Sequence, residues 1–526
     1  MPDMPESIVL TGHDLRLPGF VAVARHGRHA GTGPDVMRAV EACRAALVRK
    51  LEREEIIYGV STGFGAHVRY FIPPNELKSL QVNVLHALCC GTGPAFEEEA
   101  VRGAMLLRAN ALSKGYSAVR PVVIERLLQL LTAGITPIVP RFGSVGASGD
   151  LVPSAYVANV LMGEGEVMHE GAVKPTAAAF QAAGIEPIRI EAKEGLALVN
   201  GTTVMTSVAA LALHDFDYQA KLMLAAVAMT TEVLKATGDS FLDAIQRLKN
   251  HPGQIEAARL LREYSAGSSL MFDLDKLRED IRGARATTAD TVEVEHAIQT
   301  PYSLRCAPQG LGPVLDSIAD AREVIEREMN SVNDNPLVDA GCDAVYHTGN
   351  FYGGHIARAM DGLKIDIVNC ANWAHSLMAM LMDPRFSNGL PPSLAFRPGL
   401  HSGFKGMQLS QTSLVAACRQ LANPSSIHTL PTEQYNQDIV SLGLHAASSA
   451  QEMTLRLRDA LAILTLALCQ AADLRGVGKG EARLGAATGR LYSAVRRVAK
   501  FVDEDRYMAN DIAAVGDLIA RHAAGL

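Results

Sequence analysis

Apolar residues recur at helical spacing along most of the chain. Val36, Val40 and Leu47, for example, fall on one face of a helix. The same spacing predicts helices over residues 34–55, 77–88, 97–114, 119–133, 200–238, 311–330, 354–383, 405–421 and 438–474. The later ranges are longer than the mean helix of about 11–12 residues. Long helices with few strands are typical of a helix bundle, so we predict a mainly α fold.

The remaining stretches are shorter and more polar. Residues 164–194 are rich in glycine, and 167–169 with 172–174 predict a hairpin. The last stretch, 475–526, carries more charge and predicts a shorter helical tail. We therefore predict three parts, namely an N-terminal domain over residues 1–199, a central bundle of long helices over 200–474 and a C-terminal helical tail over 475–526.

Composition and charge exclude several classes of partner. The net charge is -7 without any basic run, which excludes nucleic acid. The longest apolar stretches, 222–229 and 461–469, are well short of the roughly 20 residues of a membrane helix. The first ten residues contain no basic segment followed by an apolar one, so we predict no signal peptide. The 8 cysteines are scattered and form no CxxC pair, and without a signal peptide we predict that they are reduced thiols of a cytoplasmic protein. We predict no metal site.

The stretch from Gly143 to Asp150 reads Gly-Ser-Val-Gly-Ala-Ser-Gly-Asp and is the most informative of the chain. A phosphate-binding loop needs a following Lys-Ser or Lys-Thr pair, which this stretch lacks. A hydrolase nucleophile needs Gly-x-Ser-x-Gly, whereas Ser148 has Gly146 and Gly149 as its nearest glycines. A plain glycine-rich turn and a peptide that cyclises on itself remain as explanations.

The residue types of Ala147-Ser148-Gly149 suit such a cyclisation. The backbone nitrogen of Gly149 can attack the carbonyl carbon of Ala147, because glycine has no side chain to hinder the approach. Loss of water, including the hydroxyl of Ser148, then gives a 4-methylidene-imidazol-5-one group whose exocyclic carbon is an electrophile. The chain therefore carries a candidate electrophile of its own and needs no added cofactor.

Several motifs, in the same order along the chain, resemble those of the histidine, phenylalanine and tyrosine ammonia-lyase family. They are Tyr58-Gly-Val-Ser-Thr-Gly-Phe-Gly65, the Gly143–Pro153 stretch, Asn200-Gly-Thr202, Tyr302-Ser-Leu-Arg-Cys-Ala-Pro-Gln309, Asn333-Asp-Asn-Pro336, Gly349-Asn-Phe351 and Asn436-Gln-Asp438. The resemblance covers roughly residues 30–475. It implies an elongated bundle of long helices with the electrophile loop on a smaller N-terminal domain, and a homotetramer whose active sites are shared between subunits.

The resemblance also implies a reaction, the non-oxidative deamination of an aromatic L-amino acid to a trans-arylacrylate and ammonia. The cyclised Ala147-Ser148-Gly149 is the implied electrophile. Tyr58 is the implied base, with a pKa that its neighbours lower so that it can accept the β-proton. Arg305 is the implied carboxylate clamp, because a guanidinium grips a carboxylate bidentately. The other implied site residues are Tyr302, Asn200 and Gln309 as hydrogen-bond partners, Gly65 in the loop over the substrate, and Phe351 as the aromatic residue beside the electrophile.

Taken singly, these residues have simpler explanations. Tyr58 alone is typical of a half-buried core tyrosine, and Arg305 alone of a surface or salt-bridge arginine. Phe351 alone is typical of a hydrophobic core. Only their joint occurrence in motif order favours the catalytic interpretation.

Five further residues bear on the substrate. The residue pair that sorts substrates in the family reads Ala87-Leu88 here; Leu88 matches the phenylalanine and tyrosine pattern, and Ala87 matches none. Gln437 stands where histidine enzymes carry the Glu that holds the imidazole. Lys405 and Glu433 resemble the phenylalanine group and are predicted near the substrate amine, although an ordinary salt bridge explains them equally well. We therefore predict a phenylalanine- or tyrosine-type enzyme with room for ring substituents.

Three alternatives remain open at this point. An aromatic amino acid 2,3-aminomutase of the same family uses the same catalytic residues but returns the amine to the β-carbon. A histidine ammonia-lyase is disfavoured by Gln437. A helical scaffold without activity is disfavoured by the intact Ala147-Ser148-Gly149, Tyr58 and Arg305.

Overall fold

The computed structural model describes residues 7–286, 290–291, 293 and 299–526. Residues 1–6, on which part of the signal-peptide prediction falls, lie outside this description. The described chain is mainly α, as predicted. None of its described helices is long and apolar enough to cross a membrane.

The helices account for most of the described chain. In chain order they are α1 (Leu17–Ala24), α2 (Pro34–Glu52), α3 (Leu77–Leu88), α4 (Glu98–Leu112), α5 (Pro121–Ala133), α6 (Leu151–Leu161), α7 (Thr176–Ala183), α8 (Glu194–Val199), α9 (Thr203–Val233), α10 (Asp243–Lys249), α11 (Pro252–Ser265), α12 (Leu274–Ala286), α13 (Tyr302–Arg305), α14 (Ala307–Met329), α15 (Gly354–Met382), α16 (Lys405–Leu421), α17 (Gly443–Leu474), α18 (Ala486–Arg496) and α19 (Ala509–Ala520). Every range predicted as a helix from its apolar spacing overlaps one of them, and α14 begins at Ala307, before the predicted range 311–330.

The strands are short and form small separate sheets. They are β1 (Ser7–Leu10), β2 (His29–Thr32), β3 (Thr92–Ala95), β4 (Thr136–Pro137), β5 (Pro140–Phe142), β6 (Glu166–His169), β7 (Ala172–Pro175), β8 (Leu337–Asp339) and β9 (Ala344–Tyr346). β1 pairs with β2 in parallel, whereas β3 with β5, β4 with β6, and β8 with β9 are antiparallel. β6 and β7 form the predicted hairpin, with Val167 opposite Lys174.

The chain folds into two compact units. Unit 1 comprises Met1–Ala212, Ala321–Asp361 and Pro424–Gln451, and unit 2 comprises Leu213–Asp320, Gly362–Asn423 and Glu452–Leu526. All strands of the described chain belong to unit 1. The division into residues 1–199, 200–474 and 475–526 stays a prediction.

In unit 1, three helices pack against one another and bring distant parts of the chain together. α3, α6 and α8 are mutual neighbours. As a result Leu88 at the end of α3, Leu151 at the start of α6 and Val199 at the end of α8 line one cavity. The electrophile loop precedes α6 and Asn200 follows α8, so this packing places both beside the cavity.

In unit 2, several shorter helices pack against one another. α11 packs against α18, and α10 packs against α11. The short helix α13 is held by the indole of Trp373 on α15, whose Nε1–H donates to the carbonyl oxygen of Ser303 at 2.8 Å. This contact fixes Tyr302 and Arg305, the two ends of α13, within unit 2.

Candidate active site

The electrophile loop is pressed against the segment that follows α8. The N–H of Asp150 donates to the carbonyl oxygen of Gly201 at 2.7 Å. Gly149 has φ +75° at this point, and a Cβ added to it would overlap the Gly201 carbonyl. Only glycine tolerates both the positive φ and the close approach, so the local backbone explains why Ser148 is followed by Gly149.

The carbonyl oxygen of Ser148 accepts two hydrogen bonds from the same short segment. The side-chain amide of Asn200 donates to it through Nδ2 at 2.8 Å. The backbone N–H of Gly201 donates to it at 3.3 Å. Two donors aimed at one carbonyl oxygen stabilise negative charge that develops there during a reaction.

Asp150 ties the loop to the start of α9. Its carboxylate accepts the N–H of Met205 at 2.7 Å and the hydroxyl of Ser144 at 2.8 Å. The N-terminus of a helix favours a negative charge, because the first N–H groups lack partners within the helix. Burial nevertheless raises the pKa of Asp150 to about 6, against the opposing effect of these hydrogen bonds. The loop is therefore anchored by a fully buried acidic side chain that the motif comparison had not assigned a role.

Tyr58 is held by apolar neighbours and by one hydrogen bond. Ile57 and Val60 on either side of it are buried in an apolar cluster that also contains Leu47. The hydroxyl oxygen of Tyr58 accepts the backbone N–H of Gly65 at 2.9 Å. The loop is therefore anchored in the hydrophobic core by Ile57 and Val60, while the phenol of Tyr58 lies at the cavity.

The pKa of Tyr58 is shifted in the direction opposite to the sequence-based prediction. Burial raises the pKa of Tyr58, the N–H of Gly65 lowers it, and the negative charge of Glu433 raises it further. The expectation that neighbours lower the pKa was therefore wrong, because desolvation of the phenolate outweighs the single hydrogen bond that stabilises it.

A short polar network faces Ser148 from the segment that precedes α17. Gln437 donates through Nε2 to the hydroxyl of Ser148 at 3.2 Å and to the carboxylate of Glu433 at 2.9 Å. Asn436 donates through Nδ2 to the same carboxylate at 3.1 Å. The carboxylate of Glu433 is thus held between two side-chain amides, close to both Ser148 and Tyr58.

These groups surround one cavity of about 420 Å³ in unit 1. The predicted site residues that line it are Tyr58, Gly65, Leu88, Ala147, Ser148, Asn200, Phe351, Glu433 and Gln437. The lining residues that the sequence-based prediction missed are Phe64, Val84, Leu151, Leu196, Val199, Asn335, Tyr352, Asn436, Asp438 and Ile439. Most of the missed residues are apolar side chains, and they form the walls of the cavity.

On helix α3, the spacing of residues could have indicated one of the missed lining residues. Val84 and Leu88 are four residues apart, lie on one face of α3 and both line the cavity. Ala87 is exposed and is not among the lining residues. The neighbouring His86 is also turned away, with its ring nitrogen 2.8 Å from the carboxylate of Glu164.

The remaining predicted site residues belong to unit 2. Tyr302 and Arg305 line another cavity, where the guanidinium of Arg305 lies 4.4 Å from the centre of the Tyr302 ring. Gln309 lines a third cavity, and its Nε2 lies 3.4 Å from the side-chain oxygen of Gln246. Lys405 is the exposed first residue of α16. A single chain therefore places the electrophile and the cationic groups of the predicted site in different units.

The surroundings of Ser148 fit the predicted 4-methylidene-imidazol-5-one group. In that group the Ser148 carbonyl is conjugated with the exocyclic carbon, so that electron density moves to its oxygen when a nucleophile adds. Asn200 and Gly201 already donate to that oxygen. Gly149 provides the unhindered nitrogen that ring closure requires. The residues present can therefore hold the group and stabilise charge on it.

Comparisons with known proteins agree over nearly the whole chain. A family model described as aromatic amino acid lyase matches residues 15–497. A tyrosine ammonia-lyase of Cupriavidus metallidurans is 40% identical over 517 residues, which are 98% of this chain and 96% of the relative. A histidine ammonia-lyase of Geobacillus thermodenitrificans is 39% identical over 516 residues, which are 98% of each chain. The solved tyrosine aminomutase of Streptomyces globisporus superposes with a TM-score of 0.94 at 35% identity, over 98% of this chain and 97% of that one. These proteins differ in substrate and in reaction, so similarity alone leaves both open.

Proposed function

The chain is an enzyme of the aromatic amino acid lyase family, and we propose that it is an ammonia-lyase for aromatic L-amino acids of the phenylalanine and tyrosine type. Its products are a trans-arylacrylate and ammonia. One observation carries this proposal, namely that the cavity of unit 1 combines a doubly hydrogen-bonded Ser148 carbonyl, the phenol of Tyr58 and apolar walls.

Ala147-Ser148-Gly149 forms the prosthetic group in this proposal. When formed, the 4-methylidene-imidazol-5-one supplies an electrophilic carbon that takes the substrate amine and makes it a better leaving group. Asn200 and Gly201 hold the Ser148 carbonyl oxygen, where negative charge then accumulates. Gln437 stands beside the Ser148 side chain and orients the Glu433 carboxylate, which is placed to attract the departing ammonium.

Tyr58 is the base that removes the β-proton. Its hydroxyl oxygen lies at the cavity and is oriented by the N–H of Gly65. A hydrogen bond to that oxygen stabilises the phenolate more than the phenol. The aromatic ring of the substrate packs against the apolar wall formed by Val84, Leu88 and Leu196.

The apolar wall favours a phenyl ring over an imidazole. Gln437 presents an amide where the histidine enzymes present a carboxylate, and its Nε2–H groups already donate to Ser148 and Glu433. A neutral amide offers an imidazole N–H no charge-assisted hydrogen bond of the kind that a carboxylate makes. The proposed substrates are phenylalanine, tyrosine and their ring-substituted relatives.

The substrate carboxylate needs a cation that this cavity does not supply. Among the described residues that line it, none is lysine or arginine. Arg305, Tyr302, Gln309 and Lys405 lie in unit 2. We propose that they reach the site from a neighbouring copy in a cytoplasmic homotetramer, with Arg305 gripping the carboxylate and the others binding the substrate or the electrophile.

A product assay tests the proposal directly. Purified protein is incubated separately with phenylalanine, tyrosine, a dimethoxyphenylalanine and histidine. We expect arylacrylate absorbance with the first three substrates and little reaction with histidine. A β-amino acid found by mass spectrometry as the main product would replace the lyase with an aminomutase, and a preference for histidine would overturn the substrate assignment.

We expect kcat/KM for the aromatic substrate to rise from about pH 7 to about pH 9, because Tyr58 and the substrate amine both react in their deprotonated forms. The pKa of Tyr58 is raised, so the phenolate fraction still increases throughout this range. In Glu433→Gln the negative charge that raises this pKa is removed, and the rise should begin at lower pH. A rate maximum below about pH 7 would contradict a tyrosine base.

We expect the volume at the end of α3 to set ring selectivity. Leu88→Ala enlarges the cavity at the wall that Leu88 forms. The ratio of kcat/KM for dimethoxyphenylalanine to that for phenylalanine should rise by roughly 10- to 200-fold, the range for such pocket changes. Ala87→Phe is the control, because Ala87 is exposed and does not line the cavity, and it should leave the preference between the two substrates unchanged. The measurement is kcat/KM for both substrates in each variant. An unchanged ratio in Leu88→Ala, or an equal change in both variants, would show that Leu88 does not contact the ring.

A further inference from the structure

Arg108 on α4 is a buried arginine whose guanidinium binds the segment around Asn200. It is 3% exposed. Its Nη1 donates to the carbonyl oxygen of Ala197 at 3.1 Å and to that of Asn200 at 2.9 Å. Its Nη2 donates to the hydroxyl of Thr203 at 3.3 Å. The guanidinium therefore spans the chain from the end of α8 to the start of α9.

The hydrogen bond to Asn200 reaches Ser148 through one peptide group. The carbonyl of Asn200 and the N–H of Gly201 belong to the same amide. The carbonyl accepts from Arg108, while the N–H donates to the carbonyl oxygen of Ser148. A cation on the oxygen of an amide withdraws electron density from it and makes its N–H a stronger donor, since hydrogen bonds in a chain polarise one another.

The packing around Gly201 leaves this arrangement little freedom. A Cβ added to Gly201 would lie 2.7 Å from the carbonyl oxygen of Asn333 and 2.8 Å from Nη2 of Arg108. The side chain of Asn333 also accepts from Nη1 of Arg108 at 3.4 Å. The Asn200–Gly201 peptide is thus clamped between the guanidinium on one side and Ser148 on the other.

The charge of Arg108 is present at working pH. Burial lowers the pKa of Arg108 to about 10, and the negative charges of Asp334 and Asp150 oppose that shift. An arginine with this pKa is protonated at neutral pH and largely protonated at mildly alkaline pH. The described hydrogen bonds of its guanidinium go to neutral oxygens, so its charge polarises the groups that it binds.

We propose that Arg108 is a positioning residue for the reaction, which orients and polarises the Asn200–Gly201 peptide so that its N–H stabilises charge on the Ser148 carbonyl oxygen. This inference rests on the proposed function, because it assigns that oxygen to the conjugated carbonyl of the prosthetic group. Arg108 makes no contact with the substrate in this account and acts only through the peptide.

The chain offers a matched control on the same helix. Arg102 is also buried on α4 and donates to the carbonyl oxygens of Val23, Ala24 and Leu131 at 3.1 to 3.2 Å. It binds the end of α1 as Arg108 binds the end of α8, but none of its described partners touches Ser148. A purely structural role of a buried arginine would affect both positions alike.

The experiment compares Arg108→Lys, Arg108→Met, Arg102→Lys and Arg102→Met in the full chain. Intact mass reports the extent of cyclisation, the thermal midpoint reports stability, and kcat and KM are measured separately. We expect Arg108→Met to lower kcat by at least about tenfold with little change in KM, a smaller loss than the roughly 10²- to 10³-fold of a direct donor. Arg108→Lys, which keeps the positive charge but lacks the planar guanidinium group, should lower kcat less than Arg108→Met does. The Arg102 variants should lose stability without a comparable loss of kcat.

Three outcomes would overturn the inference. They are a wild-type kcat in Arg108→Met, an equal kcat loss in the Arg102 and Arg108 variants, and a loss confined to KM. If Arg108→Met fails to fold, Arg108→Lys decides by the same criteria against Arg102→Lys. An unshifted mass of the wild-type protein would instead refute the proposed function, so the two failures are distinguishable.

Discussion

Ser148→Ala should lower the rate of deamination by on the order of 10³-fold or more, the scale of loss when a covalent catalyst is removed. Alanine has no hydroxyl to lose, so the exocyclic carbon of the prosthetic group cannot form. Its Cβ occupies the same place, and the hydrogen bonds to the carbonyl oxygen of residue 148 come from Asn200 and Gly201. The fold should therefore persist while the electrophile is absent.

The measurement for this variant combines turnover with intact mass. Its mass should not show the loss of the serine hydroxyl as water, which contributes about 18 Da to the decrease expected of the wild-type protein. Ser154→Ala on α6 is the matched control, because Ser154 is buried and its hydroxyl has no hydrogen-bond partner among the described residues. Ser154→Ala should keep both turnover and cyclisation. Normal turnover in Ser148→Ala would rule out Ser148 as the source of the electrophile.

Tyr58→Phe should lower turnover by at least roughly 10²-fold, the lower part of the range for loss of a general base. Phenylalanine preserves the ring between the buried Ile57 and Val60. It removes only the hydroxyl that accepts the N–H of Gly65, a loss of about 0.5–1.5 kcal/mol in stability. Cyclisation of Ala147-Ser148-Gly149 should be unaffected, so the variant separates proton removal from formation of the electrophile.

Tyr156→Phe is the control for Tyr58→Phe. The Tyr156 hydroxyl also binds a backbone glycine, accepting the N–H of Gly91 at 3.0 Å, but Tyr156 does not line the cavity. The two variants therefore remove similar hydrogen bonds at different distances from the proposed chemistry. Equal turnover in both variants, or near-normal turnover in Tyr58→Phe, would show that Tyr58 is not the base.

The helices were accessible from the sequence because burial of one face imposes a regular spacing of apolar residues. The predicted range 405–421 coincides with α16, and 354–383 with α15 to within one residue. The range 200–238 begins too early, since α9 starts at Thr203. Asn200 and Gly201 are instead drawn into contacts with Ser148 and Arg108. Local spacing cannot reveal such tertiary contacts, and here they determine where the helix begins.

The family could also be predicted, because its motifs recur in order, and the comparisons confirm it. The residues that form the walls of the site could not be predicted. Val84 and Leu196 are ordinary apolar residues, and only the packing of α3 against α8 brings them to one cavity. Arg108 and Asp150 were missed for a related reason, since their roles depend on backbone carbonyls and N–H groups that carry no sequence signature.

The direction of the Tyr58 pKa shift could not be predicted from the sequence either. A motif indicates that a tyrosine acts as a base, but its pKa depends on how much water and which charges surround the phenol. Here burial and Glu433 raise the pKa, and a single N–H opposes them. The enzyme is therefore expected to work best on the alkaline side of neutrality.

We propose that this chain builds its own electrophile from Ala147-Ser148-Gly149. The intact mass of the purified wild-type protein tests it most directly, without any assumption about substrate. Cyclisation and dehydration each remove one water, so the mass should lie about 36 Da below that of the encoded chain. Ser148→Ala, measured alongside, should lack the loss of the serine hydroxyl as water. A wild-type mass equal to that of the encoded chain would show that the electrophile does not form.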